Sequence, residues 1–353
     1  MIFSLKKSTI QRPYNSWKLS EASGYAFGGS TNYIAVVYSA VPFISTYPWS
    51  SGFGTKYADP ATFPASIGNG VAFSPSGAHI AVAHTTTPFI STYPWSSGFG
   101  TKYADPATLP ASTGNGVAFS PSGAHIAVAH TTTPFISTYP WSSGFGVKYA
   151  NPATLPPSTG NGVAFSPSGA HIAVAHNTTP YVSVYVWSSG FSVKYADPAT
   201  LPTGTGNGVA FSPSGADIAV AHTTSPFISA YPWSSGFGAK YANPATLPAN
   251  TGNGVAFSPS GADIAVAHTS TPFISAYPWS SGFGTKYSNP ATLPPGTGNV
   301  VAFSPSGADI AVAHSLTPYI STYPWSSGFG TKYADPATLP AGTGNGVAFG
   351  VRV

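Results

Sequence analysis

The chain contains no cysteine, which excludes disulfides, thiol catalysis and thiolate metal sites. Charge is scarce as well: Asp, Glu, Lys and Arg make up 6% of 353 residues, about a quarter of ordinary usage. The surface must therefore be built from hydroxyls, amides, Gly and Pro. No stretch approaches the roughly 18 apolar residues of a membrane span, and the N-terminus lacks the apolar run of a secretory signal. Amphipathic helix is missing too, because Pro or Gly interrupts every useful window.

The formal charge of +4 has an uneven origin. Lys6, Lys7, Arg12 and Lys18 all precede the first acid, Glu21, and beyond them bases and acids cancel. A basic leader on a neutral body does not point to nucleic acid.

What is present is apolar and punctuated. Hydrophobic residues make up 42% of the chain and aromatics 14%, ample for a buried core, while 39 Gly and 36 Pro recur at fixed places between apolar runs. Their regularity marks turns, not disorder. Trp49, Trp95, Trp141, Trp187, Trp233, Trp279 and Trp325 fall 46 residues apart without insertion or deletion, giving seven units. Within one unit, Val71–Ser74 (VAFS), His79–His84 (HIAVAH), Phe89–Trp95 (FISTYPW) and Thr101–Ala104 (TKYA) read as four short strands separated by Pro-Ser-Gly, Thr-Pro and Ser-Ser-Gly breaks. A period of this length with four strands and no helix predicts an all-β, seven-bladed β-propeller of four-stranded antiparallel blades. The expected organisation is a basic leader over 1–22, blades over 23–346 and a spare inner-strand copy with the C-terminus over 347–353.

The order VAFSPSGAHIAVAH then PFISTYPW resembles the repeat of the WD-repeat propellers over roughly residues 23 to 350. The resemblance implies the fold and says little about function. Ser50, Ser96 and Ser142 stand where that family usually has Asp after the Trp, and the Gly-His pair before the inner strand is missing. The family's hydrogen-bond network is thus not carried over. His84, His130, His176, His222, His268 and His314 instead end the second strands, with Tyr38 in the first unit, and are expected to supply buried structural contacts. The near identity of the units also resembles highly repetitive propellers of bacteriophage and environmental microbial genomes.

Eight inner-strand copies, from Tyr25-Ala26-Phe27 to Val347-Ala348-Phe349, face seven sets of the other strands. Either the ends latch the ring or one end reaches a neighbour by strand addition. Lys6, Lys7, Arg12, Lys18, Val347, Phe349 and Arg352 are accordingly the candidate interaction residues.

No constellation reads as catalytic, and no cofactor or metal site is expected. His79, His125 and His171 give way to Asp217, Asp263 and Asp309 in later units, which suggests a solvated turn. Asp59, Asp105, Asp197 and Asp335 exchange with Asn in an ADPA turn and are expected to cap their own backbone. GTGNG lacks the Lys and following helix of a phosphate loop. Lys56 and its six equivalents read as solubilising edge residues. The recurrent Tyr93, Trp95, Phe99 and Tyr103 offer sugar-stacking surfaces if exposed. On this basis the sequence predicts a non-enzymatic structural or protein-interaction propeller, a virion-associated decoration, cement or adhesion protein. A protein partner or larger assembly and a virion or extracellular location are expected. The alternative is a multivalent lectin-like, glycan-binding propeller.

Overall fold

Each repeat forms one antiparallel sheet. The computed structural model describes residues 31–352, all of them strand, turn or irregular structure. In the second blade the strands Gly68–Phe73, His79–His84 and Ile90–Pro94 run outward from the axis, with Gly70 opposite Ala83 and Ala83 opposite Ile90. The first turn is closed by the Gly77 N–H donating to the Ser74 carbonyl at 2.8 Å, with Gly77 at φ 66. A residue without Cβ takes that left-handed conformation at little cost.

Alternation along the second strand explains how blades stack. Ile80 and Val82 point to one neighbour, where they meet Ala35, Val37 and Ile44. Ala81 and Ala83 point to the other, where Ile126, Val128, Tyr139 and Trp141 fill the space. Each blade therefore offers a small-residue face to a large-residue face, and repeating that fit carries the chain around a ring. The seven sheets form a seven-bladed propeller.

The fourth strand departs from expectation. Among the described residues only the blade containing Gly160–Phe165, His171–His176 and Val182–Trp187 has one, at Phe191–Lys194. Elsewhere a lone Trp–Phe bridge stands in its place, such as Trp95 with Phe99, and the expected strand Thr101–Ala104 is irregular. That blade has Val186 where the other six have Pro48, Pro94, Pro140, Pro232, Pro278 and Pro324. Proline has no N–H for a ladder, so the outer edge pairs fully only where Val replaces it.

The first blade is assembled from both ends of the described chain. Thr31–Tyr38 pairs with Ile44–Trp49 on one side and with Gly344–Arg352 on the other, placing Val36 opposite Val347 and Ile34 opposite Phe349. Gly344–Arg352 also lies against Gly68–Phe73 of the next blade, which closes the circle. The eighth inner-strand copy is thus the innermost strand of the first blade, while the Tyr25–Phe27 copy falls outside the described residues.

Candidate functional site

The inner strand of every blade begins Gly-Asn, and its inner edge pairs with no other strand. Seven Asn side chains are thereby gathered around the axis. Each donates an Nδ2–H to the Gly carbonyl of the next blade: Asn69 to Gly114, Asn115 to Gly160, Asn161 to Gly206, Asn207 to Gly252, Asn253 to Gly298, Asn299 to Gly344 and Asn345 to Gly68, at 2.8–2.9 Å. The last bond joins the end of the chain to its second blade and completes the circle.

The next position brings the strands still closer. A Cβ on Gly70 would lie 3.0 Å from the Asn115 carbonyl oxygen, and one on Gly116 would lie 3.1 Å from that of Asn161. Glycine holds this place in six blades and Val300 in the seventh. Val300 thus breaks the sevenfold sameness at the axis itself.

Around this axis lies a cavity of about 180 Å³, the candidate site. Asn69, Asn115, Asn161, Asn207 and Asn253 line it with the Gly and Val that follow each of them, and Val300, Gly346 and Val347 complete the wall. Asn299 and Asn345 are outside the lining, so the amide groups form an arc over five blades. A carboxamide carries two donors and an accepting oxygen; the bond to glycine uses one donor, and in Asn161 the second goes to the Asn177 Oδ1 at 2.7 Å. No lining residue is ionisable. The arrangement can donate and accept hydrogen bonds with a small uncharged polar molecule. Sequence reasoning passed over these asparagines because GTGNG was judged only as a phosphate loop. The signal was available: Asn is the one polar side chain of the inner-strand repeat GNGVAF, and it recurs in every blade.

The residues singled out from sequence lie elsewhere. His84, His130, His176, His222, His268 and His314 are fully buried, each with Nε2 3.0 Å from a third-strand Ser Oγ, as in His84 and Ser91. In His176 the Nδ1–H donates to the Thr178 carbonyl at 2.9 Å, so Nε2 accepts from Ser183. Burial pushes all six imidazoles down to about 4. In the first blade the Tyr38 hydroxyl takes this place, bonding Ser45 at 2.8 Å.

His79, His125, His171, Asp217, Asp263 and Asp309 occupy a seam between blades, which corrects the reading of a solvated turn. The three aspartates are buried. Asp217 accepts from the Tyr241 hydroxyl of its own blade at 2.8 Å and from the Trp279 indole of the next at 3.1 Å. In the histidine blades, His79 bonds the Tyr103 hydroxyl through Nδ1 and meets Trp141 edge to face, and the Trp141 N–H has no partner.

The aromatics are not available for stacking on sugars. Tyr93 is 0% exposed and Trp95 1%, while Phe99 and Tyr103 pack edge to face against Trp95 and Trp141 at 5.0 and 5.4 Å. Their burial removes the basis of the multivalent lectin reading. Asp59, Asp105, Asp197 and Asp335 pair with Lys56, Lys102, Lys194 and Lys332 three residues before them, in place of the expected backbone caps. Val347 is buried and Phe349 half-buried in the first blade, where they pack with Ile34, Val36 and Trp49. Arg352 is exposed at the far end of the same strand. Lys6, Lys7, Arg12 and Lys18 lie outside the described residues. Among the described residues no group of three His, Asp or Glu side chains is placed to hold a metal ion, and no helix is long and apolar enough to cross a membrane.

The chain matches no protein-family model and no curated protein. Among solved structures it is similar to a putative 6-phosphogluconolactonase of Bacteroides uniformis, at 14% identity and TM-score 0.67 over 91% of this chain and 99% of that one. It is likewise similar to a putative 6-phosphogluconolactonase of Bacteroides fragilis, at 11% identity and TM-score 0.68 over 93% and 99%. A third neighbour is the periplasmic gluconolactonase of Pseudomonas aeruginosa, at 16% identity and TM-score 0.68 over 91% and 99%. At such identities the likeness shows the fold.

These neighbours correct the functional expectation. The reading as a non-enzymatic structural, virion-associated propeller rested on finding no catalytic constellation in the repeat. The same ring, at matching length, is the fold of proteins described as lactonases. The WD-repeat and bacteriophage assignments likewise find no match.

Proposed function

We propose that the axial cavity binds a small sugar lactone and promotes its opening by water. The observation that carries this reading is the composition of the cavity: five carboxamides and strand-edge peptide groups around about 180 Å³, with no charge. Drug-sized ligands occupy roughly 300–1,000 Å³, so this volume suits a single small ring and not an oligosaccharide. Hydroxyls of such a ring can both donate to and accept from the amides. The gluconolactonase neighbours support the substrate class.

Lactone opening needs little machinery because the ring ester is itself reactive. Water adds to the carbonyl carbon, the ring C–O bond breaks, and the water proton passes to the departing ring oxygen, giving a hydroxy acid. An Nδ2–H beside the carbonyl oxygen would stabilise the charge developing there, and such donors in partly dry sites are worth on the order of a hundredfold in rate. Without an ionisable wall the reaction draws on hydrogen-bond donation and positioning, not on a general base.

The test is acid release from gluconolactone at constant pH, with and without protein. A rate clearly above spontaneous opening, lost in an Asn115→Leu/Asn207→Leu variant of unchanged circular dichroism, is expected. Equality with the spontaneous rate contradicts the reading.

A further inference from the structure

Resting on the reading above, we infer that the substrate is an unphosphorylated lactone, recognised as a neutral polyol by the arc of Asn69, Asn115, Asn161, Asn207 and Asn253.

The placement of the cations carries the inference. Of twelve Lys and Arg in the chain, four precede residue 19 and lie outside the described residues. Seven more, from Lys56 to Lys332 at the 46-residue period, lie on the outer connections. Each is held three residues on by an Asp or Asn, as in Lys56 with Asp59 and Lys148 with Asn151. The twelfth, Arg352, is five residues beyond the lining residue Val347 on one extended strand, about 16 Å away at the rise of a β-strand. No histidine lines the cavity either.

Phosphate is bound where guanidinium, ammonium or a helix N-terminus offers positive potential. The described chain has no helix, and the alternating dipoles of its strands leave a sheet only a small net dipole. A phosphorylated lactone entering this cavity would lose hydration from a doubly charged group and gain no opposite charge from the described residues. A neutral lactone loses hydroxyl hydration and regains it from amides that present both donors and acceptors.

Initial rates on gluconolactone and on 6-phosphogluconolactone, each corrected for spontaneous opening, separate the possibilities. The expected result is a kcat/KM at least about tenfold higher for the neutral lactone. A second variant, Asn115→Lys, places a cation in the cavity wall and is expected to shift the ratio toward the phosphorylated lactone by about tenfold or more. Preference of the unaltered protein for the phosphorylated substrate, or no shift of the ratio in Asn115→Lys, overturns this inference while leaving lactone opening in place. Opening of neither lactone overturns the functional reading and this inference with it.

Discussion

Trp279 donates its indole N–H across a blade seam to the carboxylate of Asp217, at 3.1 Å. The same bond joins Trp325 to Asp263 and Trp49 to Asp309. At the other four seams the partner position holds Tyr33, His79, His125 or His171, and the indoles of Trp95, Trp141, Trp187 and Trp233 are buried without an acceptor. The repeat has thus placed both versions of one contact in a single ring, so the value of the carboxylate can be measured by transfer.

His79→Asp is expected to stabilise the ring, because the new carboxylate meets both the free Trp141 N–H and the Tyr103 hydroxyl now bonded to His79. A recovered buried hydrogen bond is worth about 1 kcal/mol, read as a higher urea midpoint. The opposite change, Asp217→Ala, leaves the Trp279 indole and the Tyr241 hydroxyl unpaired and should cost about 2–3 kcal/mol. No difference between these variants and the unaltered chain would remove the carboxylate from the seam's energetics.

Mild acid should unfold the propeller. His84 and its five equivalents are pushed by burial from 6.5 to about 4, so the folded state holds them neutral. A group lowered on folding contributes its full stability above the unfolded value, and that contribution is lost as the pH falls through the folded one. At pH 5 each histidine forfeits about 2 kcal/mol, and six together rival the whole stability of an ordinary domain. Denaturant midpoints should therefore be flat above pH 7 and fall steeply between pH 6.5 and pH 4. Replacing His84 with Tyr, as Tyr38 stands in the first blade, should make that fall shallower.

Closure by the C-terminal strand can be tested at one glycine. Gly77 and Gly123 have similar left-handed conformations, φ 66 and φ 70, so alanine is strained at both. Beside Gly77, however, a Cβ would fall 2.0 Å from the Val351 carbonyl oxygen, whereas beside Gly123 the nearest atom is a Pro75 side-chain carbon at 3.7 Å. Gly123→Ala should cost about 1 kcal/mol and Gly77→Ala distinctly more. Equal losses would mean that Gly344–Arg352 does not pass over that turn.

The same closure predicts that deleting residues 344–353 exposes the paired edge of Thr31–Tyr38 and uncovers Ile34, Val36 and Trp49, which pack with Val347 and Phe349. The truncated chain should melt well below the intact one. Phe349→Ala alone, which removes an edge-to-face contact with Trp49 at 5.3 Å, should cost about 2–3 kcal/mol.

The ring was legible in the sequence because a fixed 46-residue period leaves little choice of architecture. Strand positions followed from the spacing of Ser-Pro-Ser-Gly and Thr-Pro breaks. The fourth strand was misjudged because TKYA has strand composition, whereas pairing depends on the N–H that proline withholds from the third strand. Exchange of His for Asp looked like tolerance of any polar residue, yet Asp217 and His79 both meet a tyrosine hydroxyl and lie against the following blade's Trp. The axial asparagines were passed over because GTGNG was weighed only as a phosphate loop. A ring converts the identity of its blades into convergence, and Asn69 and Asn207, far apart in sequence, line one cavity.

The central claim is that the axial cavity is where the ligand binds, and a crystal structure with a lactam analogue of gluconolactone tests it most directly, since the lactam resists opening by water. The account predicts one analogue on the axis, its hydroxyls and carbonyl within hydrogen-bond distance of side chains among Asn69, Asn115, Asn161, Asn207 and Asn253. An analogue bound at the outer rim, or an axis empty of it at saturating concentration, would contradict the account.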